Sequence, residues 1–149
     1  LTAQSLIVTI TEALAVDHAN GATNDIDFAQ TYTHTYGSIA NVSKRIIKLA
    51  NTNLTEIATF GSTTADGAFV RADIKYIRVT NLDASDALQV GMDDEDSDAA
   101  YTSVAADSSI IFTGTTVEGG NGGSTLDAAT ALKVKGASNQ QLELFIASV

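Results

Sequence analysis

The chain has 149 residues, 44% of them hydrophobic, with neither cysteine nor proline, and eight basic against eighteen acidic residues set its formal charge at −10. That length suffices for one domain with a real core. The charge opposes phosphate backbones and anionic lipid, so neither nucleic acid nor membrane is an expected partner, and the lack of cysteine excludes disulfides, thiolate metal sites and cysteine nucleophiles.

The opening LTAQSLIVTITEALAV carries an apolar run without a basic segment ahead of it and does not read as a secretion signal. No stretch approaches the roughly 18 consecutive apolar residues of a membrane helix. SLIVTIT instead sets Leu6, Val8 and Ile10 on one side of a strand, the period of a half-buried β-segment. Taken in order, TYTHTY (31–36), TEIATF (55–60), IKYIRVTN (74–81), DALQVGM (86–92, with Leu88, Val90 and Met92 alternating against Gln89 and Gly91), SSIIFTG (108–114), LKVK (132–135) and QLELFIASV (141–149) read the same way. SIANVSKRIIKLAN fits both periods; the polar break Asn51–Thr52–Asn53 that follows it favours a hairpin, so 43–50 is taken as a strand. Nineteen threonines support strands over helices, because β-branched side chains suit a pleated surface. No helical stretch precedes the strands, as a parallel sheet would require. The expectation is an all-β chain, a single antiparallel β-sandwich or jelly roll spanning residues 1–149, with long loops at 17–30, 61–73 and 114–130.

Chemistry-bearing motifs are sparse. In MDDEDSD the spacing of Asp94, Asp96 and Asp98 matches the first ligands of a calcium loop. Ala99 stands where that loop needs glycine and Ala105 where it needs its closing glutamate, so the run reads as a solvated acidic turn and no metal is expected. His18 follows Asp17 and His34 lies between Tyr32 and Tyr36, but without a nucleophile elbow or ligand spacing neither reads as catalytic. GGNGGST lacks the lysine of a phosphate-binding loop. SKRIIK gathers Lys44, Arg45 and Lys48, three of the eight basic residues. As the one positive spot on an acidic chain, these three are the candidate contact for an acidic partner; the plainer reading is a solvated strand face. No cofactor and no catalytic site are expected.

ADIKYIRVTNLDASDALQVGM, then SSIIFTG, then the terminal LELFIASV resemble small virion structural proteins of tailed phages, especially those of marine bacteria. In that group a KYIRITNLD-like strand leads through an Asp- or Asn-rich turn into a second alternating strand, with an SFIL-like segment and an ELFVA-like close. The resemblance covers under half the chain. It implies a β-sandwich or jelly roll without enzymatic activity, most simply a capsid decoration (cement) protein. Such a protein is made in the host cytoplasm, forms a homotrimer and binds the major capsid protein on the virion exterior. The alternative it implies is a tail or fibre component that recognises a host glycan.

Overall fold

Alternating apolar residues build this molecule strand by strand. The structure is a computed structural model and describes residues 4–16, 26–63, 68–94, 99–113, 118–119, 123–124 and 129–149. Its contacts divide the chain into two units, Leu1–Ile39 and Ala40–Val149.

The first unit is a long two-stranded ribbon. β1 (Gln4–Val16) and β2 (Ile26–Ile39) run antiparallel, in register from Gln4 opposite Ile39 to Val16 opposite Ile26. Directly opposed residues share a face, so Thr9 meets Thr33 and Thr11 meets Thr31, their hydroxyl oxygens 3.5 and 3.4 Å apart. The other face pairs Leu6 with Tyr36, Val8 with His34 and Ile10 with Tyr32. The expected TYTHTY strand is therefore the middle of a longer one. Gly37 and Ser38 do not end it, because a bulge opposite Gln4–Leu6 absorbs them, with Ser38 in the left-handed region at φ 60°. Residues 17–25 of the expected first loop lie outside the described residues, while 26–30 are strand.

The second unit contains two main sheets. β3 (Asn41–Lys48), β6 (Ile74–Asn81), β9 (Ser109–Thr113) and β13 (Gln141–Ser148) form one, in the order β3-β13-β6-β9. β4 (Thr55–Gly61), β5 (Ala68–Val70), β7 (Leu88–Asp94), β8 (Ala99–Val104) and β12 (Ala129–Lys135) form the other, in the order β5-β4-β12-β7-β8. All pairings are antiparallel except β4 with β5. A minimal pair, β10 (Glu118–Gly119) and β11 (Gly123–Ser124), stands apart. Among the described residues there is no α-helix, only a single 3-10 turn at Arg71–Asp73.

The sheets pack face to face around one apolar cluster. Ile77, Val79, Leu142, Leu144 and Ile146 from the first sheet meet Leu88, Val90, Leu132 and Val134 from the second, every one at most 1% exposed. The expected antiparallel β-sandwich is present. Four strands fell outside the expectation: β5, β8, β10 and β11. β5, β10 and β11 have only two or three residues, too few for a period to register, and β8 reads AAYTSV, whose alternation is blurred by its alanines. The ambiguous segment is indeed a strand, displaced two residues toward the N-terminus.

One end of the sandwich is pinned by two buried amides. Asn81 Nδ2 donates to the carbonyls of Asp86, Val104 and Ala105 at 2.7, 3.3 and 3.1 Å. Its Oδ1 accepts from the Asp83 amide and from Gln140 Nε2, at 3.1 and 3.0 Å. Gln140 Nε2 also donates to the Asp86 carbonyl, and Gln140 Oε1 accepts from the Ala137 amide at 2.7 Å. Beyond this pair, Asp83 Oδ1 takes the Ser85 and Asp86 amides and the Ser85 hydroxyl, each at 2.9 Å, which holds its carboxyl below the ordinary range. Gly136 is required for this arrangement, since a Cβ there would lie 2.0 Å from Gln140 Oε1. Two substitutions follow from this geometry. Asn81→Ala leaves several buried groups without partners and lowers stability by about 2–4 kcal/mol, while Gly136→Ala must expel the Gln140 side chain and costs about 1–3 kcal/mol. Urea unfolding of both variants should show a lower midpoint with an unchanged slope.

Candidate functional site

The candidate residues Lys44, Arg45 and Lys48 all lie on β3, an edge strand paired on one side only, with β13. Strand alternation separates them. Lys44 and Lys48 share the outward face with Val42 and Ile46, whereas Arg45 points the other way and its guanidinium donates to the Ile57 carbonyl on β4. Arg45 thus ties β3 to β4 across the two sheets and, though exposed, lies on the opposite face of β3 from the two lysines. The structure brings together two of the three expected residues.

The outward face was only partly legible as a charge cluster. Val42 and Ile46 are 59% and 66% exposed and alternate with the two lysines in the outward order Val42, Lys44, Ile46, Lys48, so the feature is an apolar strip interleaved with cations. In register beside it, Lys44 opposes Phe145, Phe145 opposes Arg78, and Ile46 opposes Glu143. Glu143 lies between two cations, 3.2 Å from Lys44 Nζ and 2.5 Å from an Arg78 guanidinium nitrogen. Burial pushes its carboxyl up, and hydrogen bonds from Lys44 and Arg78 outweigh that and hold it below the ordinary glutamate range. Arg78 also sits 5.7 Å from the centre of the Phe145 ring, where the ring face attracts it, and Tyr76 meets the same ring edge-on at 5.9 Å. The strip therefore has a rigid floor of interlocked side chains. The signal that could have found it is the parity of VSKRIIK: odd positions turn inward, leaving valine, isoleucine and lysines outside.

A second polar group lies on the outer face of the other sheet. Asp93 accepts from the Lys133 ammonium and from the Tyr101 hydroxyl, the latter at 3.1 Å. Burial, then the hydrogen bond to Asp93, push the Tyr101 hydroxyl up; the bond to Asp93 raises Lys133, against a smaller opposing effect of burial. Both shifts keep the proton on the side chain, so neither group gains nucleophilicity. With these partners Asp93 is committed to the sheet. Of the acidic turn that follows, residues 95–98 lie outside the described residues, as does His18. His34 is an exposed β2 residue whose ring lies 4.4 Å from that of Tyr36.

The ribbon supplies the second exposed apolar surface. Ile10 and Tyr32, opposite one another, are 46% and 50% exposed. No helix among the described residues is long and apolar enough to cross a membrane. Comparison with protein-family models, with curated proteins and with solved structures returned no match.

Arg45 and the lysines are expected to separate experimentally. Arg45→Ala breaks a charge-assisted tie between sheets and lowers stability by about 1.5 kcal/mol; Lys48→Ala stays within about 0.5 kcal/mol of the parent in the same urea titration. Glu143 adds a pH dependence. Its folded pKa is depressed, so its contribution is complete above the unfolded value and is lost as pH falls through the folded one. Between neutral pH and about pH 3 the parent should lose more stability than Glu143→Gln, measured as the difference in urea midpoints.

Proposed function

We propose that residues 40–149 form a jelly roll and that the chain is a structural protein of a tailed-phage virion. Within the particle it acts as a capsid decoration protein, binding the major capsid protein on the outer surface as a homotrimer, without catalysis. The observation that carries this reading is the strand order. Setting β5 aside, β3-β13-β6-β9 and β4-β12-β7-β8 place eight strands in two four-stranded sheets, with the first and last strands of the set paired. Such an order supports the jelly-roll reading, two Greek keys of four strands as in viral capsid and lectin domains. The segments that resemble phage virion proteins support it too, since residues 74–81 and 141–148 are the two central strands of one sheet and residues 81–86 form the pinned loop beside them.

Charge supports the exterior. At −10 the chain opposes packaged DNA, while on the outside the same charge keeps particles apart. The outward strip of β3, Val42 and Ile46 interleaved with Lys44 and Lys48, is the adhesive surface suited to an acidic neighbour. Modest contacts suffice when a multimer engages several sites at once.

The tail or fibre alternative draws support from the rank of exposed threonine hydroxyls on the ribbon, Thr9, Thr11, Thr31 and Thr33, which suits hydrogen bonding to a glycan. A particle reconstruction with copy number decides between them. The expected result is this chain on the capsid exterior at a stoichiometry comparable to that of the shell subunit; confinement to the tail, at the copy number of a tail component, would reject the decoration reading.

A further inference from the structure

An isolated two-stranded ribbon is marginal in water. β1–β2 nevertheless runs for 13 and 14 residues and carries the exposed Ile10 and Tyr32 beside the half-buried Leu6 and Val8 on one face. The geometry points to what covers that face: the outward strip of β3 in a second copy of the chain, around Val42, Lys44, Ile46 and Lys48. This rests on β3 being an adhesive surface, as above, and names its partner; it does not depend on where in a particle the protein resides.

Charge complementarity selects the occupant. Residues 1–39 contain four acids, Glu12, Asp17, Asp25 and Asp27, and no lysine or arginine, a charge of −4, whereas β3 holds three of the eight cations. Glu12 shares the apolar face of the ribbon, opposite Gln30 and one step beyond Ile10. Spacing agrees as well. Val42 to Ile46 and Leu6 to Ile10 each span four residues, about 13 Å of strand, so two apolar contacts align with one acid left over to meet a lysine.

Area decides the symmetry. A ribbon of 13 residues is about 43 Å long, and with strands about 4.8 Å apart one of its faces covers about 400 Å². A stable interface needs about 800 Å² per partner. One ribbon on one strip falls short, but in a closed exchange each copy gives its ribbon and receives another on its eight-residue β3 and the adjoining β13, a surface of about 250 Å², which brings each chain to about 650 Å², within the range of specific interfaces. Because donor and acceptor patches differ, the exchange closes as a ring, of three copies in the homotrimer proposed above.

The test is sedimentation velocity of the full chain at micromolar concentration, with each variant's fold checked by circular dichroism and its urea midpoint. The parent should sediment as a closed oligomer. Glu12→Lys alone and Lys48→Glu alone should each weaken association about tenfold, and the two together should restore it. Ile10→Asp or Ile46→Asp should give a folded monomer. A monomeric parent overturns the exchange, as does an oligomer indifferent to Ile10→Asp and Ile46→Asp. Reversals that weaken association singly and do not recover together assign the ribbon to another occupant and overturn it equally. Copy number in the particle is read separately, so either conclusion can fail without the other.

Discussion

The buried pair Asn81–Gln140 is the constraint around which the sandwich is arranged. Two side-chain amides fully withdrawn from water are tolerable only when their donors and acceptors are met, and here the partners come from four separated stretches of chain: the end of β6, the 82–86 loop, the end of β8 and the approach to β13. Each must sit within tenths of an ångström for the network to close. The pair thereby sets where β6 stops, how the chain turns toward β7 and where β13 begins. Leu49 is drawn in by its own backbone, donating to the Gln140 carbonyl and accepting from the Asn139 amide, so the end of β3 is fixed by the same residue. Apolar burial supplies most of the driving force but is indifferent to direction; the amides supply the register.

Fixed register gives alternation its consequences. With β13 held at Gln140, the pairing of Lys44 with Phe145 and Ile46 with Glu143 follows, and so does the division of SKRIIK into an inward arginine and outward lysines. A slip of one residue would turn Val42 and Ile46 into the core and Ile47 out of it. The composition of the outward strip is therefore a product of the same network that closes the far end of the sheet.

How much of this was legible in the sequence varied with the kind of interaction. Leu88, Val90 and Met92, or Leu142, Leu144 and Ile146, announce a buried face because their period is local. Partner choice is not local: nothing within QLELFIAS shows that it lies between β3 and β6. Asn81 looked like an ordinary turn residue because asparagine is common in turns, and its burial depends on carbonyls 23 and 24 residues away. Among the site residues, Lys44, Arg45 and Lys48 were legible as charge, and the placing of Arg45 on the opposite face from the lysines was not, since a sum of charges ignores strand parity. The ribbon showed its apolar face in Leu6, Val8 and Ile10. Its length did not, because Gly37–Ser38 reads as a terminator and is accommodated as a bulge.

The distribution of charge bears on the association proposed for this chain. A chain at −10 repels its copies at long range, and salt near physiological strength confines that repulsion to about 8 Å. In the proposed exchange, contacts between lysines on β3 and an acid on a ribbon would operate inside that distance, where desolvation strengthens them. Long-range repulsion therefore disfavours indiscriminate clustering, while β3, with three of the eight cations, offers a place where approach is rewarded. Had the eight cations been spread evenly, the net charge would be unchanged and the edge of β3, with Val42 and Ile46 exposed, would be an unguarded apolar site for any neighbour. Lysines alternating with those residues would favour a partner that is both apolar and acidic, a combination found in Ile10 and Glu12 of the ribbon.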